Sequence, residues 1–318
     1  MQKSLPARFI FTLVLSVLCL TETAAQWDVQ FSDYTSLKSY YNPAASGTDG
    51  LLNVNAAYSM QMAGFDDAPK TMYVGADCPV YFLGPRHGAG VNFMNDIAGI
   101  FRTQRLAIQY AYNVPIGRKG RLAIGGQAAM ISEKIDPTGL EFPDQDTDPA
   151  FPSSEVSGTS MDVAAGLYFH HPLFWAGASA SHITSPRITM AETHFIDLSP
   201  VYYLMGGCNI KIKNTLLTLK PSFMVQSDFD SWREDINCKL EFVNDGKKLW
   251  GGVGYSPDIS TTFMIGGNFH GISLGYSYQM YTSGINMVNG THELVLSYQT
   301  DLDLFKKGHN KHRAVRVL

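Results

Sequence analysis

The chain has 318 residues and a formal net charge of −4, enough for one large domain or two small ones. The near-neutral balance argues against a nucleic-acid partner, which calls for a basic excess. Charged residues make up only 16%, below the usual quarter, while 29 Gly, 16 Tyr and 18 Phe are abundant and mean hydropathy is −0.06. Past the first twenty residues no apolar run is long enough for a spanning helix. A membrane role would therefore need strands, whose alternation averages the hydropathy away.

Residues 1–25 read as a signal peptide. Lys3 and Arg8 form a basic start, Phe9–Leu20 an apolar stretch too short to span, and Thr23 and Ala25 the small residues before a cut ahead of Gln26. Leu18, directly before Cys19, is too large for a lipidation signal. The mature chain is thus expected outside the cytoplasm, in a compartment that permits disulfides. Cys78, Cys208 and Cys238 are odd in number and without metal-site spacing. They read as small apolar fillers, with a disulfide or reactive thiol as the alternatives. Residues 26–50 are polar and aromatic without clean alternation. They are expected to form a periplasmic N-terminal segment, either a plug or a short inner strand, with a turn at Asn42-Pro43.

From 51 to 300 the period is two. The predicted strands are Leu51–Met62, Thr71–Tyr81, Gly88–Asn95, Gln104–Val114, Arg121–Ser132, Ser160–Phe169, Leu173–His182 and Val201–Ile212, then Thr215–Gln226, Asp235–Asn244, Lys248–Ser256, Thr261–Asn268, Gly271–Met280 and Thr291–Thr300. In the first, Leu52, Val54, Ala56 and Tyr58 oppose Asn53, Asn55, Ala57 and Ser59; in the fourth, Leu106, Ile108 and Tyr110 oppose Arg105, Ala107 and Gln109. Arg105, Gln109, Lys239, Glu241 and Glu293 all fall opposite the apolar stripe, as a lipid-facing wall requires, since Lys or Arg at the bilayer midplane costs about 2–4 kcal/mol. Tyr58, Tyr112 and Tyr298 suit aromatic girdles. Connections after even strands look short, roughly two to six residues. Those after odd strands look mostly longer, about eight after the first and third and over twenty after the fifth. The expected fold is an all-β transmembrane outer-membrane β-barrel of about 14 antiparallel strands, with strand one beside the last, long loops outside and both termini periplasmic.

Chemistry is sparse. Asp144, Asp146, Asp148 and Glu155 match four positions of a calcium loop, but Pro149 stands where the turn needs Gly, so a solvated acidic loop is the reading. His170 and His171 adjoin in a tight turn and diverge. His292 and Ser297 lie five apart on a strand and face opposite ways, which rules them out as a base–nucleophile pair. No enzyme, cofactor or metal is expected. Residues 301–318 form a basic periplasmic tail. Its Lys306, Lys307, His309, Lys311, His312, Arg313 and Arg316 are either solvated or a docking peptide for an anionic or protein partner.

Several blocks together resemble the PorP/SprF family, outer-membrane barrels of the type IX secretion and gliding-motility machinery. They are FSDYTSLKSYYNPAASG (Phe31–Gly47), GFDDAPKTM (Gly64–Met72), NDIAG (Asn95–Gly99), LAIQYAYNVPI (Leu106–Ile116), LYFHHPLFWAGASASHITSP (Leu167–Pro186), LKPSFMV (Leu219–Val225), LWGGVGY (Leu249–Tyr255), LGYSYQMYTSGI (Leu274–Ile285) and GTHELVLSY (Gly290–Tyr298). Ser59–Met62 and Asp67 depart from the family's usual residues around the GFDGAPKT motif. The tail HRAVRVL (His312–Leu318) resembles the PorP-type subgroup rather than the substrate-linked paralogues. The resemblance implies a non-enzymatic role in exporting proteins or anchoring them at the surface. The implied partners are other type IX secretion components, including periplasmic and peptidoglycan-linked lipoproteins, the secreted protein substrates and outer-membrane lipid. The competing reading is an outer-membrane transport barrel for hydrophobic or small solutes.

Overall fold

A computed structural model describes residues 28–302, apart from 66, 82, 84, 85, 138–153, 191–194, 214 and 284–289. The strands are β1 (Leu52–Met60), β2 (Lys70–Pro79), β3 (His87–Ala98), β4 (Phe101–Ile116), β5 (Gly120–Ile135), β6 (Val156–His170), β7 (Phe174–Ser181), β8 (Arg187–Thr189), β9 (Phe195–Asp197), β10 (Val201–Cys208), β11 (Ile210–Lys211), β12 (Leu217–Ser227), β13 (Trp232–Asn244), β14 (Lys247–Ser256), β15 (Ser260–Phe269), β16 (Ile272–Tyr281) and β17 (Thr291–Thr300). β8 and β9 form a separate two-stranded hairpin, and β10 and β11 are one wall strand interrupted at Asn209. The remainder is a wall of fourteen antiparallel strands, closed by β1 on β17 and β10 on β12, as the period-two pattern predicts. Closure leaves no sheet edge to satisfy in lipid.

The inward and outward sets also match expectation. Asn53, Asn55, Ala57 and Ser59 are buried inside, whereas Val54 and Tyr58 are exposed on the outer face. Arg105, Gln109, Lys239 and Glu293 are buried on the lumen side, and Leu294, Leu296 and Tyr298 point outward. Tyr58 stands near one rim. Tyr112, 5.2 Å from the His87 ring, stands near the other. Cys78, Cys208 and Cys238 are unpaired. Leu52 pairs with Thr300, so both ends of the wall share one rim, here the turn rim; the opposite one is the loop rim.

Several expected loops shrink. β3 and β4 join through Gly99 and Ile100 alone, and the ladder past Val114 continues to Ile116↔Gly120. The reason is that the ladder outruns the lipid. Near the loop rim Arg102 and Gln104 both donate 2.9 Å hydrogen bonds to Asn95 on the outer face. Polar outer side chains there erase the alternation while the backbone pairing persists. Four loop-rim connections stay long (61–69, 136–155, 182–200 and 282–290), and three are tight turns.

Candidate functional site

The lumen is filled by residues 28–50. Phe31, Tyr34, Leu37, Tyr40, Tyr41 and Ala44 form one buried cluster with Tyr73, Tyr168, Tyr203, Met205 and Met224 of the wall. Tyr40 meets Phe31, Tyr41 and Tyr73 edge to face at 4.8–5.5 Å, the favoured aromatic geometry. Within this plug, α1 (Lys38–Tyr41) is followed by a 3-10 turn, Pro43–Ala45. Asn42 caps the turn, accepting from the Ala44 N–H at 2.9 Å, and Pro43 supplies the fixed φ of a first helical position. The amide of Asn42 also donates to the carbonyls of Leu167 (2.9 Å) and Ala178 (3.3 Å), so one fully buried side chain ties the turn to β6 and β7.

Polar ties run around the barrel. Lys239 Nζ lies 2.5 Å from Asp33 Oδ1 and 2.8 Å from Thr35 Oγ1, and 4.4 Å above the Trp250 ring. Glu293 accepts from the Ser32 N–H at 2.8 Å, and Asp77 from the Gly47 N–H at 2.8 Å. Ser179 donates to the Tyr41 carbonyl, and Gln109 to that of Ser39, both at 2.7 Å. The plug separates a turn-rim cavity of about 340 Å³ from a loop-rim cavity of about 310 Å³.

At the loop rim a charged latch holds the plug. His182, just past β7, has Nε2 3.1 Å from Asp28 Oδ1 and Nδ1 3.1 Å from Asp162 Oδ2, the latter without hydrogen-bond alignment. Tyr203 donates to Asp28 Oδ2 at 2.8 Å. Burial alone would lower the His182 pKa, but the Asp28 and Asp162 carboxylates override it and raise it to about 10. Burial likewise opposes ionisation of Asp28, yet His182 and Arg105 hold it well below the usual carboxylate range. The His182 contribution is therefore complete below its ordinary value of about 6.5 and lost only as pH rises through about 10. That of Asp28 is present above about 4 and lost as pH falls. The latch is thus built to hold across neutral pH. Nitrogen-15 spectra of the His182 ring should show imidazolium at pH 8 with a midpoint near 10; a midpoint near 6.5 would refute the ion pair.

The tail residues Lys306, Lys307, His309, Lys311, His312, Arg313 and Arg316 lie outside the described residues, as do Asp144, Asp146, Asp148 and Pro149. Glu155 pairs with Lys134 at 2.6 Å. His170 stacks on Tyr168 and lines the turn-rim cavity, while His171 packs on Phe174. His292 bonds the Tyr276 hydroxyl on the outer face at 2.7 Å; Ser297 lines the lumen. Sequence reasoning set Arg105, Lys239 and Glu293 on the inner face but missed their partners. The usable signal was charge balance: buried cations need acids, and Asp28 and Asp33 sit in the N-terminal segment.

No curated protein matches the chain. Among solved structures it is similar to the CymD monoaromatic hydrocarbon channel, with 12% identity over 83% of this chain and 91% of that one and a TM-score of 0.49. It is also similar to a Pseudomonas aeruginosa FadL homologue (12%, 82% and 92%, TM-score 0.47) and to the deltaS2 mutant of the TodX monoaromatic hydrocarbon channel (10%, 81% and 92%, TM-score 0.45). The model of the family described as "Type IX secretion system membrane protein PorP/SprF" matches residues 23–298, and the chain belongs to that family.

Proposed function

We propose that this outer-membrane barrel is a non-enzymatic component of the type IX secretion system that helps export secreted proteins or anchor them at the surface. Family membership across almost the whole barrel carries this reading. A lumen crossed by a plug tied to strands all round the wall supports a scaffold over a solute path. In this reading residues 1–25 are a signal peptide, the long loops lie outside and the C-terminal tail lies in the periplasm. Asp28, latched at the loop rim, speaks against the expected periplasmic N-terminus and for a plug that enters from the loop side. The basic tail docks other secretion components, including periplasmic or peptidoglycan-linked lipoproteins. The wall meets outer-membrane lipid, and the loops meet secreted substrates. The second reading, a transport barrel for hydrophobic or small solutes, rests on the two lumen cavities.

Deleting the protein from its host should abolish cargo secretion without changing outer-membrane permeability. Removing residues 306–318 alone should leave barrel insertion intact and reduce secretion. Normal secretion in the deletion strain, with altered small-solute uptake, would replace the scaffold with the transporter. Normal secretion in the truncation would remove the docking role of the tail.

A further inference from the structure

The loop-rim cavity has charge that neither plug nor wall uses up. The register of β3, β4 and β5 sets its inner wall in rungs. Asp96 pairs with Thr103 and Thr103 with Glu133, so two carboxylates flank one threonine on a single rung. The next lumen-facing rung, Met94–Arg105–Ile131, lies about 7 Å deeper along the strands. All six of these side chains line the cavity.

Each carboxylate of the upper rung accepts one hydroxyl: Thr71 donates to Asp96 at 2.5 Å and Thr103 to Glu133 at 2.9 Å. Among the described residues neither has a cation within ion-pair distance. The cavity's other acids are engaged. Asp197 pairs with Arg187, Asp28 with His182, and Asp228 accepts from its own turn. Arg105 on the lower rung is 3% exposed, and its Nε and Nη2 have no acceptor. The Tyr40 ring lies 4.8 Å from the guanidinium, and Asp28 acts on it only through space. Buried donors without acceptors are costly, and a buried guanidinium most of all.

A lone anion would meet the acidic rung before reaching Arg105. A lone cation would leave Arg105 unanswered. A molecule carrying both charges a few bonds apart satisfies both rungs, and Val29, Phe101, Leu198 and Val201 offer it apolar wall. The volume of about 310 Å³ is at the small end of ligand pockets. We propose that this cavity binds a zwitterionic amino acid or short peptide, its ammonium group held by Asp96 and Glu133 and its carboxylate by Arg105.

The test is isothermal titration of the detergent-purified full chain at low salt with phenylalanine, Ala-Phe, N-acetyl-Ala-Phe and Ala-Phe amide. At least one unblocked zwitterion should bind. Where Ala-Phe binds, each blocked form should be at least ten-fold weaker. Binding of phenylalanine alone identifies an amino-acid site, in which case N-acetyl-phenylalanine and phenylalanine amide take over as the blocked probes. E133Q should shrink the penalty of acetylation, and R105Q that of amidation. The blocked-probe comparison on the unaltered chain decides the matter even where a variant fails to fold. No binding of either zwitterion, or equal binding of blocked and unblocked forms, would overturn the assignment. Secretion is not measured, so the outcome is independent of the secretion role.

Discussion

Replacing Gly166 with leucine should expel the plug's turn from the wall and convert a plugged barrel into a conducting one. A Cβ at Gly166 would collide with the Oδ1 of Asn42, and one at Gly125 would stand 2.5 Å from Ala44 Cα. Asn42 cannot retreat. It is 0% exposed, caps Ala44 and donates to two wall carbonyls. Overpacking costs about 1–3 kcal/mol, loss of the cap about 1, and orphaning a buried amide about 1–3. These costs fall on plug docking, because the wall's own ladder runs through Gly166↔Ser179 and Gly125↔Gly166 without needing the plug. Single-channel recording in planar bilayers should show a closed parent and discrete conductance in Gly166→Leu. Hydrogen exchange of residues 28–50 should rise while the strands stay protected. A variant that remains closed, with its plug still protected, would show that the seat at β6 and β7 does not hold the plug.

The wall was legible because lipid outside and a packed polar lumen inside impose a strict period of two, and Asn53 to Ser59 against Val54 and Tyr58 show it within a single strand. The same physics explains where legibility stopped. Beyond the lipid, Asn95, Arg102 and Gln104 are polar on the outer face without penalty, so a paired ladder reads as a loop. The plug has no period at all. Tyr34, Leu37, Tyr40 and Tyr41 are held by side chains from strands far away in sequence, and a four-residue helix leaves no pattern in its own residues. From sequence alone, therefore, the segment reads as either a plug or a short inner strand. The charges of the lumen were placed on the correct face, but Lys239 and its acid stand 206 residues apart, a pairing that only the closed barrel reveals.

Lys239→Met should destabilise the folded barrel by about 3–5 kcal/mol, the usual cost of removing one partner of a buried ion pair. Asp33 has a side chain 1% exposed and Lys239 one 10% exposed, so water screens the pair little. The methionine keeps the apolar stem against Trp250 and removes only the charge, which isolates the electrostatic effect. Asp33 would retain the hydroxyls of Thr35 and Ser36, both at 2.8 Å. Two neutral donors do not offset a buried charge. Without Lys239, burial favours the protonated acid, so the folded-state pKa of Asp33 moves above its unfolded value. A group raised in this way stabilises below its unfolded pKa and loses that contribution as pH rises, so the deficit of the variant should shrink as pH falls. The double variant Asp33→Asn with Lys239→Met removes both charges and should recover most of the loss, giving a coupling energy of several kcal/mol in a double-mutant cycle. Urea unfolding in lipid vesicles supplies all four corners of that cycle. A single variant within about 1 kcal/mol of the parent, or a double variant no better than the single, would mean that the pair does not anchor the plug.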